Sequence, residues 1–340
     1  MRPIPHRWPG AGRAGLIVAG AALVTGVSLI CLPGQCLSRG GTPTAARETA
    51  STRVLAFLPS DEGLPRSGDG RHYPLLPQDG DTLATLLASV EEALRAPDTP
   101  AEQLPQLGHQ QQVIYRVLAH RRPLADQVRA ALPKRWQPVF DHHVAARREF
   151  LAMHRGQRSL TLPSWRIIPP EPPDQLLSHY KEAAAATGIP WEVLAAVNLV
   201  ESAMGRLDGI SVAGAQGPMQ FLPSTWAERG IGQGDIRNPR DAIHAAARYL
   251  VRRGGPSNLK KALWGYNNSD HYGKAVLHYA ALMREDPSTF RGLYHWEVHF
   301  ASGVGDLWLP VGYNQPRPIS VAAYLKQVPA SAPPPGSSGY

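Results

Sequence analysis

The chain has 340 residues, enough for one or two domains with a proper core. Its 43% hydrophobic content is that of an ordinary globular protein. A net charge of +8 can favour nucleic acid, anionic lipid or an anionic polymer, but no nucleic-acid motif accompanies it, and a generically soluble basic surface is the commoner explanation. Both cysteines, Cys31 and Cys36, lie near the start, so disulfides do not hold the rest of the chain.

Arg2, His6, Arg7 and Arg13 precede an apolar stretch of 19 residues, Ala14 to Leu32, closed by Pro33 and Gly34. A basic flank before an apolar segment predicts the N-terminus inside and the remainder outside. Neither cysteine follows the small residue of a lipoprotein cleavage site, and no clean Ala-x-Ala occurs. Residues 1–33 therefore read as an export signal kept as a membrane anchor, with a cleaved secretion signal as the other reading. Residues 34–75, rich in Gly, Pro, Ser, Thr and Arg, are expected to be a disordered linker.

Residues 76–160 read as a helical accessory region. Helical spacing begins at Asp81 and recurs over Gln106–His120, Pro123–Leu132 and Trp136–His154, with Val139, Val144 and Phe150 as core candidates. His142 and His143 have no third ligand at useful spacing, so surface histidines are expected rather than a metal site. Residues 161–325 form the next unit. Pro163, Pro169, Pro170, Pro172 and Pro173 make its start extended. A helix from Asp174 stops at Gly188, a good C′ residue, and Ile189-Pro190 opens the next. Met204–Phe221 is Gly-rich and irregular. A short helix follows Pro223, and Asn238-Pro239-Arg240-Asp241 is a strong helix start. Leu259–Trp264 and Tyr272–Met283 give two more helices. Tyr294–Phe300 alternates like a strand, which leaves His295 and His299 structural. Residues 326–340 read as a disordered tail. The expected fold is mainly α, with a clefted domain preceded by the small helical region.

Glu201 ends the apolar helix after Pro190. Leu194 and Val197, seven and four positions earlier, share its face. A carboxyl in register with a core-facing stripe is costly to ionise, which raises its pKa and suits a general acid. The plain alternative is a helix-end carboxylate turned to solvent. Among the carboxylates weighed as a second group, Asp208 reads as a turn residue, Asp235 as a loop residue and Asp241 as a first-turn helix residue. Gln220, between Met219 and Phe221, sets an amide, both donor and acceptor, among apolar neighbours. Ser211 after a turn reads as a cap, Asn267 as a loop holder or a binding residue, and Ser202 as a clamp on the end of the glutamate helix. Trp226 and Trp264 are read as core. No phosphate loop or zinc-protease motif occurs, so neither cofactor nor metal is expected.

Glu201-Ser202, then Gly-Ala-Gln-Gly-Pro-Met-Gln over 214–220, then Tyr266-Asn267 resemble the lytic transglycosylase domain of the soluble murein transglycosylases, a family related to goose-type lysozymes. Pro218 stands where the family has Leu, and Gly265 where it has Ala. The resemblance covers roughly residues 175–285. It implies a lysozyme-like fold for residues 161–325, peptidoglycan glycan strands as substrate, and cleavage from N-acetylmuramic acid to N-acetylglucosamine with a 1,6-anhydro end. It implies Glu201 as the single acid and base, aided by the substrate's own acetamido group. It also implies that Tyr266 hydrogen-bonds Glu201 and that Ser211 lies near substrate; Gln220 is then placed to contact a sugar, and Asn267 to hold a loop or touch sugar. A goose-type hydrolase and an inactive wall-binding scaffold are the competing readings.

Overall fold

The computed structural model describes residues 64–153 and 159–334. The apolar segment 14–32 lies outside the described residues. Among the described residues no helix is long and apolar enough to cross a membrane. The chain is mainly α. Four helices come first: α1 (Gly80–Arg95), α2 (Leu104–His120), α3 (Arg122–Ala131) and α4 (Gln137–Met153). Short strands β1 (Thr161–Leu162) and β2 (Trp165–Ile167) lead to α5 (Pro173–Thr187), α6 (Trp191–Ser202) and β3 (Leu207–Gly209). Then come α7 (Pro223–Trp226), α8 (Pro239–Arg252), α9 (Leu259–Tyr266), α10 (Asp270–Glu285) and α11 (Thr289–Tyr294). The hairpin β4 (Val298–Ser302) and β5 (Gly305–Leu309), then β6 (Ile319–Ser320) and α12 (Val321–Gln327), complete it.

Local chemistry sets these boundaries. Asp79 caps α1 by accepting from the Thr82 amide. Gly188 ends α5 in the left-handed region at φ 75°. Asn238 caps α8 by accepting from the Asp241 amide, with Pro239 in the first turn. The strands pair antiparallel as β1 with β6, β2 with β3 and β4 with β5. Asp208 thus lies in a strand opposite Arg166, not in a turn.

One continuous core joins the early helices to the later ones. Leu86, Ile114 and Val144 belong to the same buried cluster as Leu194, Val197 and Leu250. Helix α10 packs against both α4 and α6 and is the hinge-pin of that core. Truncating Leu194 or Leu250 to alanine would cost roughly 2–5 kcal/mol. A second cluster, with Trp165, Phe300 and Leu307, holds the strands together.

Several expectations are corrected here. The linker expected to reach residue 75 is ordered where it is described, from Leu64: the backbones of Arg66 and His72 pair across an exposed turn, and Tyr73 is buried with its hydroxyl on Asp306 at 3.2 Å. The expected tail starts inside α12 and continues as a 3-10 turn at Pro329–Ser331. His143 is fully buried and stacks on Tyr115 at 4.1 Å, so it is no surface histidine. Trp264 is 50% exposed, because α9 is short and turns Ala262 and Leu263 inward instead. The expected strand begins only at Val298; Tyr294 still ends α11.

Candidate active site

Every residue of α6 from Val193 to Ser202 is buried, so Glu201 has no solvent face to turn toward. It is 4% exposed. Its Oε1 accepts from the Tyr272 hydroxyl at 2.7 Å, and its Oε2 is buried with no partner. Burial pushes its pKa up to about 8, against the smaller lowering effect of the Tyr272 hydrogen bond. Its place in the last turn adds to this, since a helix C-terminus carries partial negative charge. The group therefore holds its proton at neutral pH and can give it away.

The chain leaves α6 through three left-handed residues: Ala203 at φ 51°, Met204 at 62° and Gly205 at 90°. Non-glycine residues there are strained and persist only when held by their surroundings. Ser202 supplies part of that hold. Its hydroxyl donates to the Pro218 carbonyl at 2.5 Å and accepts from the Gly205 amide at 3.0 Å. The Asn198 amide donates to the same Pro218 carbonyl at 2.7 Å. The Gly-rich segment is thus tied to the glutamate helix.

Gly217, at φ 72°, lets this segment pass against Ile236: an added Cβ would lie 2.0 Å from the Ile236 carbonyl oxygen. Gln220 also has a positive φ, 48°, and its amide donates to the Gly217 carbonyl at 3.0 Å. Ser211 closes the loop on itself, accepting from the Ala215 amide at 3.0 Å. Asn267 ends α9 through its backbone, and its side chain makes no hydrogen bond among the described residues.

Tyr266 does not bond Glu201. Its hydroxyl donates to the Met219 carbonyl at 2.7 Å, and its ring stacks parallel to that of Tyr272 at 6.3 Å. The hydroxyl on the carboxyl is that of Tyr272, in the first turn of α10. A signal for it existed. Tyr272 shares a helical face with Val276 and Tyr279, and a hydroxyl on a buried stripe needs a buried partner.

Glu201 borders a cavity of about 90 Å³. Its walls come from α6, from Arg116 of α2, from Arg147 and Phe150 of α4, and from the run Trp296–His299. A second carboxyl, Glu297, lines it too, and it is held by Arg71 at 2.7 Å. Of the nearby aspartates, Asp208 is held by Arg166 and Arg237, and Asp241 accepts from the Asp235 amide. Among the described residues no cluster of three His, Cys, Asp or Glu is placed to hold a metal ion.

A buried glutamic acid at the end of a core helix, its pKa raised by burial, has the chemistry of a general acid in a mainly α domain. Residues 178–280 match the family model of the transglycosylase SLT domain, so the chain carries a domain of that type. A curated relative, the membrane-bound lytic murein transglycosylase F of Thiobacillus denitrificans, is 32% identical over 123 residues. That stretch is 34% of this chain and 26% of the relative, so the chain spans about a quarter of the length of the curated relative it matches. No solved structure matches the chain.

Proposed function

We propose that the chain is an exported peptidoglycan lytic transglycosylase with Glu201 as its single acid and base. The observation that carries this reading is the buried carboxyl of Glu201, whose pKa burial raises, inside a segment that matches the transglycosylase SLT domain. Glu201 gives its proton to the oxygen linking N-acetylmuramic acid to N-acetylglucosamine, and the bond from C1 to that oxygen breaks. The substrate's acetamido oxygen covers C1. The carboxylate then takes the proton of the muramoyl 6-hydroxyl, which closes on C1 as a 1,6-anhydro ring. No water is consumed. Tyr272 holds the carboxyl in place without adding a charge. Tyr266, Ser202 and the Gly217–Gln220 segment position the cleft, while Gln220, Ser211 and Asn267 are the proposed sugar contacts. Residues 1–33 hold the enzyme at the outer face of the membrane, within reach of the glycan strands.

One observation favours a hydrolase instead. Glu297 lines the same cavity as Glu201 and would supply a second carboxylate. Its ion pair with Arg71 argues for a structural role. Mass analysis of products from purified peptidoglycan decides between them. Anhydro ends are expected; reducing ends would make the chain a hydrolase, and no products would make it a wall-binding scaffold.

A further inference from the structure

The cavity beside Glu201 has a wall that this reaction does not use. Arg147 of α4 and Arg116 of α2 both line it, at 7% and 5% exposure. Arg116 pairs with Asp306 but keeps a buried Nε without a partner. Arg147 is satisfied less. Its Nε and Nη2 are both buried and unpartnered. A guanidinium offers five donors and no acceptor, and a buried cation without a counter-ion is strongly unfavourable.

The neighbouring acids are already committed. Asp306, whose charge reaches Arg147, is bound to Arg116 and His299. Glu297 is bound to Arg71, and Glu201 keeps its proton. An anion reaching these free donors would gain charge-assisted hydrogen bonds in a buried setting. At about 90 Å³ the cavity falls far below the roughly 300–1,000 Å³ of pockets that enclose whole ligands. That size suits a single substituent. The planar fork of a guanidinium matches a carboxylate.

We propose that Arg147, with Arg116 beside it, is a binding site for a carboxylate carried by the substrate strand. The identity of the strand rests on the transglycosylase reading; the anion site does not. Two groups on peptidoglycan have this chemistry: the lactyl carboxylate of a muramoyl residue stripped of its peptide, and a carboxylate of the stem peptide. Arg147 lies outside the matched segment 178–280. The accessory helices would then give the cleaving domain its choice of strand.

Sodium acetate, compared with sodium chloride at equal ionic strength, probes the site in the full chain. Acetate should raise the Tm of the unaltered protein in a saturable way. Arg147→Met should start from a higher Tm, since an unpaired buried charge has gone, and should lose the acetate response. Arg147→Lys should keep part of it. A lower starting Tm in Arg147→Met, or an unchanged acetate response, overturns the proposal. A second arm compares kcat/KM on stem-bearing strands, on peptide-free strands, and on peptide-free strands whose lactyl carboxylates have been converted to amides. A preference of about tenfold or more for a carboxylate-bearing strand is expected, and its loss in Arg147→Met. Faster cleavage of peptide-free strands assigns the lactyl group; faster cleavage of stem-bearing strands assigns the peptide. Equal rates on all three overturn the proposal. If no strand is cleaved, the transglycosylase reading fails and the acetate arm alone decides the site.

Discussion

Replacing Glu201 by Gln should stabilise the protein by an amount that depends on pH. In the unfolded chain the carboxyl ionises near 4.5; folded, it holds its proton to about 8. Between those values the folded state carries the extra proton, so stability falls as pH rises through that window. Gln cannot ionise and escapes the loss. At pH 7 the gap is the cost of keeping Glu201 protonated about 2.5 units above its ordinary pKa, or about 3 kcal/mol. It should widen by about 1.4 kcal/mol per pH unit and level off near pH 8, at about 5 kcal/mol. Near pH 4 the two proteins should converge. Equilibrium urea unfolding of both proteins at pH 4, 5, 6, 7 and 8 measures this directly. A gap that stays flat across the series would show that Glu201 is not held protonated, and the general-acid argument would fall with it. The same variant should lose about two to four orders of magnitude in rate, because the proton donor is gone.

Tyr272→Phe removes the hydrogen bond that, among the described residues, opposes the burial effect on Glu201. The alkaline limb of the pH–rate profile should move upward while kcat falls by about 10–100-fold. Tyr266→Phe should leave that limb unmoved, since its hydroxyl serves the Met219 carbonyl. Gly217→Ala adds a Cβ against the Ile236 carbonyl at a positive φ, and should lower stability by roughly 1–3 kcal/mol, read as a fall in Tm. His109, His143 and His299 are all held below the usual imidazole range by burial. The unfolded chain takes up these protons first, so stability is lost as pH falls below about 6.5. Thermal unfolding in the Glu201→Gln background, free of the opposing carboxyl, should show the decline between pH 7 and 5. Activity should survive exhaustive chelation; a loss restored by one added metal would refute this.

The features read correctly from sequence are those written in a few adjacent residues. Gly188 and Asn238 mark helix ends because the backbone conformation or side-chain bond they supply is local. The burial of Glu201 was legible for a related reason, since Leu194 and Val197 fix which way it points. The partner of its carboxyl was not. Tyr266 and Tyr272 are six positions apart with parallel rings, and which hydroxyl reaches Glu201 depends on how α9 and α10 cross α6. His143 was misread because a histidine reads as polar, whereas stacking on Tyr115 makes it part of the core. The cavity left no trace in any window of sequence. Its walls come from α2, α4, α6 and the run Trp296–His299, and no local spacing records their meeting.

Tyr279 has a bearing on how this protein can change over time. It lies within the matched segment, yet its ring meets Phe150, His143 and Trp296, all outside that segment. A gene fragment coding only for residues 178–280 would stop inside α10 and leave that ring facing water. Recombination that moved this stretch into another protein would therefore transplant a wound rather than a module. The stretch that sequence comparison recognises is shorter than the stretch that must be inherited whole. Helix α4 and Trp296 have to travel with it, because they cover that ring.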